Sequence, residues 1–281
     1  MKVLILGGEG YIGSEVFKAI RSIHRVKVAD KVNFGWDMDQ ISDSHLKDED
    51  VVICLAGIPA VADCEARPAE SFEENCIKFF RLIPKLDPQI KLIYASSASV
   101  YGNTQGKEVN ETYILPKPTS EYDKQKQMID FYMENSRHRN WFGLRFATVN
   151  GHSKNPRNRL LINSLVRDAI TKKEVTISNH TSFRGILGMK DLCRALCAII
   201  DQEQAPGFYN LASFNGSIEE IGMKISKLYN VPLYYKTGTT TAYSFSLNTE
   251  KFQKTFNYKF RDTIDSISKE AEKNDFTKDR L

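Results

Sequence analysis

Residues 4–13 read LILGGEGYIG, with glycines at 7, 10 and 13 directly after an apolar run and directly before a helical pattern. This GxxGxxG spacing suits a strand-to-helix turn that receives a phosphate. The first glycine permits a tight turn, the second lets backbone approach a pyrophosphate, and the third lets helix and sheet pack closely. The phosphate then meets free amides and the positive end of the helix dipole. A plain turn is the competing reading of three glycines, and their place after the first strand favours the dinucleotide. Further along, RVKVAD is a second strand, and Asp30 ends it 23 residues after Gly7. A carboxylate there accepts hydrogen bonds from ribose hydroxyls and disfavours the extra phosphate of NADP, so NAD is the expected cofactor. Lys31 is the counter-signal, because an ammonium pairs well with a 2′-phosphate and would admit NADP as the second choice.

The alternation continues beyond Asp30. YIGSEVFKAIRSI is a helix, DVVICLAG a strand, residues 69–86 a helical stretch, KLIYASS a strand, and WFGLRFATV a further strand after the helix that carries Tyr122 and Lys126. Apolar strands alternating with helices predict a parallel sheet covered on both faces. The expected class is α/β, a Rossmann-type doubly wound parallel sheet with a smaller C-terminal substrate-binding lobe. Little room lies between Asp30 and Val51 for a full crossover helix, so that connection is expected to shrink to a short strand and loop. The dinucleotide-binding domain is placed at 1–151, with 185–212 returning to its sheet. The lobe is placed at 152–184 and 213–281, around the helices LINSLVRDAITKK and SIEEIGMKISKLYN, the strands EVTIS and PLYYK, and the Thr-rich loop TGTTTAYSFSLN.

Composition narrows the function classes. The chain has 281 residues, 41% of them apolar and 26% charged, as in an ordinary water-soluble protein. A net charge of +4 is spread among nearly as many carboxylates, which argues against a nucleic-acid partner. No apolar run approaches the ~20 residues that span a bilayer, so no membrane partner and a cytoplasmic location are expected. The five cysteines, Cys54, Cys64, Cys76, Cys193 and Cys197, lack metal-ligand spacing. They read as reduced thiols with no metal.

The candidate chemistry sits in YASSASVYG and TSEYDKQKQ. Tyr122 and Lys126 are four apart, so one helix face holds both, about one turn apart. A phenol that titrates near ~10 is a poor base at neutral pH, and a neighbouring cation favours its phenolate. A solvated helix face is the bland reading of YxxxK taken alone.

Together, the glycine turn, Asp30, SSASVYG, YxxxK and FRGILGMKD resemble the extended short-chain dehydrogenase/reductases, specifically the NAD-dependent epimerase/dehydratase family acting on nucleotide sugars. The resemblance implies Ser97, Tyr122 and Lys126 as the catalytic set. It implies a cofactor site of Gly7, Gly10, Tyr11, Ile12, Gly13, Asp30, Asp37, Met38, Leu55, Ala56, Gly57, Asn75, Ser96, Tyr122, Lys126 and Phe146. For the substrate it implies Ser97, Ser99, Thr148, Arg157, Arg159, Asn163 and Arg184. Of these, Arg184 matches the family arginine for the nucleotide diphosphate, and Asn163 is expected to face the nucleotide base. A homodimer through the helices containing Asn75 and Tyr122 is also implied. Family dehydratases carry an acidic pair where this chain has Ala98 and Ser99, so a 4-epimerase passing through a 4-ketosugar fits best. A nucleotide-sugar dehydrogenase or 4-ketosugar reductase is the alternative, and a non-catalytic NAD(P)-binding sensor a third. The chain departs from the family at Pro59, where a lysine is common, and at Gly188, where a histidine is usual. It also lacks a clear second phosphate arginine in TGTTTAYSFSLN.

Overall fold

The computed structural model describes residues 1–31, 35–237 and 243–278. The chain begins in β1 (Lys2–Leu6), passes through α1 (Gly13–Ile20) to β2 (Arg25–Ala29), and through α2 (Asp43–Leu46) to β3 (Val51–Cys54). Next come α3 (Val61–Ala66), α4 (Pro68–Phe72), a π-helical turn (Glu73–Ile77) and α5 (Lys78–Leu82), which lead to β4 (Lys91–Ser97). A short β5 (Glu108–Val109) precedes α6 (Glu121–Glu134) and β6 (Trp141–Phe146). The second half contains β7 (Thr148–Asn150), α7 (Leu161–Thr171), β8 (Val175–Ser178), β9 (Phe183–Gly188), α8 (Met189–Asp201) and β10 (Gly207–Leu211). It ends with β11 (Phe214–Ser217), α9 (Ile218–Tyr229), β12 (Leu233–Lys236), β13 (Ser246–Leu247), α10 (Glu250–Thr255) and α11 (Ile264–Ala271).

Six strands form one parallel sheet in the order β10-β6-β4-β3-β1-β2. β1 and β3 are buried along nearly their whole length because neighbours and helices cover both faces, which explains their continuous apolar runs. From β1 the chain turns first to β2 on one side and then to β3 on the other. That reversal leaves a crevice beyond the carboxyl ends of β1 and β3, the usual ligand position in such sheets. One apolar core, including Val16, Ile20, Leu192 and Leu196, fills the side of α1 and α8. A second, including Phe79, Leu82, Ile129 and Met133, fills the side of α5 and α6.

Three expectations are corrected and one is met. Among the described residues between β2 and β3 there is no strand; a 3-10 turn (Met38–Gln40) and α2 stand there instead. The segment lacks strand alternation, and a Ser42 to His45 capping box starts the short helix. The helical stretch expected at 69–86 is present, as α4, the π turn, α5 and a 3-10 turn (Ile83–Lys85) in unbroken succession. WFGLRFATV divides at Ala147: β6 stays in the large sheet, while β7 joins β9 and β11 in a three-stranded sheet. β9 therefore does not return to the large sheet, although β10 does.

A third apolar cluster of α7, α9, α11 and β8, including Ile162, Val166, Ile221 and Ile267, forms the C-terminal lobe. The segment 250–260 does not belong to it. There Phe252 and Phe256 pack their rings against Tyr209 of β10, with centroids 6.0 and 5.4 Å apart. Among the described residues no helix is long and apolar enough to cross a membrane.

Candidate active site

At the end of β1, Gly7 adopts φ +80°, and its amide donates to Ala29 O at 2.8 Å. A side chain at Gly7 would strike the Ala56 backbone, 2.7 Å from an added Cβ. The turn thus lies tightly against the strand-end segment Leu55–Gly57. Ile12 provides no side-chain cap for α1; the turn itself accepts from the first amides, Ser14 N donating to Gly10 O at 3.1 Å and Glu15 N to Ile12 O at 3.1 Å. Asp30 is buried, and its Oδ2 accepts from Glu9 N at 3.0 Å, which fixes the carboxylate beside the turn. The ammonium of Lys31 lies 3.0 Å from Glu74, so this charge is already engaged. Lys78 joins Asp37 at 2.5 Å and Glu74 at 2.7 Å. Burial works against its ammonium, but these two carboxylates prevail and hold it above the ordinary lysine range. Burial likewise works against the Asp37 carboxylate, and Lys78 outweighs it and keeps Asp37 below the usual range.

Gly7, Gly10, Tyr11, Ile12, Gly13, Asp30, Asp37, Met38, Leu55, Ala56 and Gly57 line one cavity of about 420 Å³. Every one of these was expected at a cofactor. Leu6, Ala29, Lys31, Trp36, Ile58, Pro59, Glu74 and Arg157 complete it.

A second cavity, of about 320 Å³, meets the first at Tyr11, Ile12, Gly57 and Arg157. It contains Asn75, Ser96, Ser97, Ser99, Tyr122, Lys126, Phe146, Thr148 and Arg184. Asn75 sits in the π turn, a helix irregularity frequent at functional sites. Its carboxamide accepts from Ile58 N at 2.7 Å and donates to Ile58 O at 3.1 Å and Gln125 Oε1 at 2.7 Å. Asn75 therefore ties the β3 loop to α6, the helix carrying Tyr122. That helix starts at Ser120, whose hydroxyl accepts from Asp123 N at 3.1 Å. Lys126 donates to Ala95 O at 2.7 Å and lies 5.6 Å from the centroid of the Tyr122 ring. Ser97 ends β4; its Oγ accepts from Ser99 N at 3.1 Å and donates to Ser99 Oγ at 2.9 Å.

Arg184 enters from β9. Its Nη1 is buried without a hydrogen-bond partner, and its guanidinium lies 5.7 Å from the Phe245 ring centroid. Burial pulls its pKa below the ordinary arginine value. A desolvated guanidinium with an unused donor suits an anionic ligand. Tyr243 and Phe245 also line this cavity. Tyr243 Oη donates to the buried carboxylate of Asp123 at 2.5 Å and contacts the Thr119 hydroxyl. Neither aromatic was expected here. Both belong to the Thr-rich loop, whose polar sequence carries no periodicity that would aim a side chain; residues 238–242 of it lie outside the described residues.

Two expected substrate residues are elsewhere. Asn163 is fully buried and lines neither cavity; it accepts from Gly151 N at 2.9 Å and donates to Tyr11 Oη at 3.2 Å and Arg157 O at 3.1 Å. Its hydrogen-bonding groups are consumed inside the protein. Arg159 lines neither cavity as well. The five cysteines are free, and burial pushes Cys54 up to about 11 and Cys76 and Cys193 up to about 12. Cys54, Cys64 and His152 are absent from the catalytic cavity, so they form no thiol-imidazole pair there.

A model of the NAD dependent epimerase/dehydratase family matches residues 3–212. An ADP-L-glycero-D-manno-heptose-6-epimerase from Brachyspira hyodysenteriae is 22% identical over 261 residues, covering 81% of each chain. A UDP-glucose 4-epimerase from Mycoplasma genitalium is 29% identical over 139 residues; here the match spans only 41% of either chain. Among solved structures, MoeE5 in complex with UDP-glucuronic acid and NAD superposes with a TM-score of 0.83 at 22% identity, covering 97% of this chain and 98% of that one. With the family match extending from β1 through β10, the chain belongs to the NAD dependent epimerase/dehydratase family, enzymes of the extended short-chain dehydrogenase/reductase type.

Proposed function

We propose that the protein is an NAD-dependent nucleotide-sugar epimerase that inverts the sugar 4-position through a transient 4-ketosugar. One observation carries the choice of reaction. Among the described residues lining the catalytic cavity there is no carboxylate, imidazole or thiol. Water loss, or epimerisation beside a ketone, needs a further acid-base group besides Tyr122 and Lys126 to move a carbon-bound proton, a task to which carboxylates, imidazoles and thiols are suited. Reversible oxidation of an alcohol needs only a base for the hydroxyl and a hydride acceptor, and Tyr122 with Lys126 provides the base.

The residues of the first cavity fit a dinucleotide. The glycine turn leaves space at Gly10, where an added Cβ would meet only Gly7 O at 3.3 Å, and Asp30 presents a fixed carboxylate for ribose hydroxyls. Engagement of Lys31 by Glu74 favours NAD over NADP. Bound NAD supplies reversible hydride storage. The chain's own part is to take the proton of the C4 hydroxyl on Tyr122, keep the oxygen hydrogen-bonded to Ser97, and return the proton after the ketosugar has turned over. Arg184 holds the diphosphate, while Thr148, Ser99, Tyr243 and Phe245 enclose the sugar.

In this reading residues 1–151 form most of the cofactor domain and the α7, α9 and α11 cluster forms the substrate lobe. Five free cysteines suit a reducing, cytoplasmic setting.

The test is to incubate the protein with UDP-, GDP-, dTDP- and CMP-sugars and follow C4 stereochemistry and cofactor redox state. C4 inversion without added cofactor is expected. Tyr122→Phe should lower turnover by ~10²–10⁴-fold, the usual range for losing a positioned acid-base group, while NAD stays bound. Undiminished turnover in Tyr122→Phe sinks the site assignment. Stoichiometric formation or consumption of NADH would replace epimerisation by the dehydrogenase or 4-ketosugar reductase reading.

A further inference from the structure

Arg157 borders both cavities, and its surroundings give it to the cofactor side. The first cavity is lined by the carboxylates Asp30, Asp37 and Glu74. The ammonium that also lines it, Lys31, is paired with Glu74. Arg157 forms no ion pair among the described residues. Lys31 and Lys78 are already engaged by these carboxylates, so a pyrophosphate entering beside them needs a further cation, and backbone amides of the turn supply only partial charge.

The segment leading to Arg157 is stitched to the glycine turn. Ser153 Oγ donates to Tyr11 O at 2.7 Å, and Asn155 Nδ2 donates to Glu9 O at 2.8 Å. Tyr11 Oη donates to Gly151 O at 3.3 Å. Asn163, fully buried, joins Tyr11 Oη to the carbonyl of Arg157. Each contact fixes residues 151–157 to the turn rather than to the Arg184 side of the second cavity. We infer that residues 151–157 form a strap over the glycine turn whose Arg157 guanidinium binds the pyrophosphate of the dinucleotide, with Ser153, Asn155 and Asn163 as positioning residues.

This rests on the NAD reading above and assigns to cofactor a cation that resemblance alone gives to substrate. The experiment compares full-length wild type, Arg157→Gln and Arg157→Lys by calorimetric titration with NAD, ADP-ribose, adenosine and UDP, after stripping of any retained nucleotide. Arg157→Gln should weaken NAD and ADP-ribose by ~10-fold or more, the scale of a lost charge-assisted hydrogen bond, with adenosine and UDP within about twofold. Arg157→Lys should fall between, since an ammonium lacks the bidentate fork. Ser153→Ala with Asn155→Ala should weaken ADP-ribose in the same direction, which tests the strap with the guanidinium present. Unchanged ADP-ribose affinity in Arg157→Gln, or a loss of UDP affinity equal to or larger than that of NAD, overturns the inference and leaves the NAD reading intact. Wild type that binds neither NAD nor ADP-ribose removes that reading and the inference with it.

Discussion

A methyl group on Gly13 would lie 2.2 Å from Gly7 O and 2.7 Å from Gly8 Cα, so backbone would have to move. At Gly10 the same methyl would meet only Gly7 O, at 3.3 Å, and would otherwise project into open space. The two glycines therefore have separable roles, close helix-sheet packing at Gly13 and ligand approach at Gly10. Gly13→Ala should cost ~1–3 kcal/mol of stability by overpacking and weaken NAD as well. Gly10→Ala should stay within about 1 kcal/mol of wild type in denaturant unfolding yet weaken NAD by ~10-fold or more. Equal NAD affinity in Gly10→Ala and wild type would refute a pyrophosphate over this turn.

Secondary-structure elements show a different kind of compensation. Gly188 precedes α8 and has no side chain to cap it; an added Cβ would sit 2.1 Å from the Asp262 carboxylate. Asp262, from the distant segment before α11, accepts from Asp191 N at 2.9 Å and so caps α8 from across the chain. Asp262→Ala should cost ~0.5–2 kcal/mol, as loss of a helix cap does, while Asp262→Asn keeps an oxygen acceptor and should retain most of this. Burial raises the Asp262 carboxyl above its ordinary 3.8, despite Arg194 nearby. Its proton is thus held more tightly in the folded chain than in the unfolded one. That contribution is full below the unfolded value and is lost as pH rises through the folded one. Wild type should therefore lose stability relative to Asp262→Asn between about pH 4 and neutrality. Thermal unfolding of the three proteins at both pH values checks this, and an Asp262→Ala protein as stable as wild type would rule out the cap. Gly188 was visible as a departure from the family pattern, but its partner 74 residues downstream was not, since no local rule links them. The same limit explains Asn163. A polar residue on an amphipathic helix reads as exposed or ligand-facing, and only tertiary structure shows it bonded to Tyr11 and Arg157. By contrast, the glycine turn, Asp30, Ser97, Tyr122 and Lys126 lie at strand ends and helix starts that local patterns place well, so their convergence on adjoining cavities could be anticipated.

At the scale of the whole molecule, the side of α5 and α6 leaves an apolar surface uncovered among the described residues. On α6, Ile129 and Met133 turn toward the sheet and are buried, whereas Met128 and Phe131 turn outward and are 38% and 69% exposed. With Phe80, Ile83, Pro84 and Tyr132 they line a groove of about 980 Å³ on the side of α5 and α6. An exposed apolar groove between two helices offers a surface that a second copy of the chain could cover. α5 continues directly from the π turn of Asn75 and α6 carries Tyr122, so a second copy seated there would brace both against the catalytic cavity. We propose a two-fold homodimer through this groove, an arrangement in which the same patch serves both subunits. Light scattering on the purified protein should then give twice the 32.0 kDa chain mass. Phe131→Glu places a charge at the centre of the patch and should raise the dimer dissociation constant by ~30-fold or more, the effect of losing an interface anchor. The ring is exposed in the single chain, so the far-ultraviolet circular dichroism of the variant should match wild type. A wild-type mass of 32.0 kDa, or a Phe131→Glu protein that stays dimeric at the same concentration, would exclude this interface.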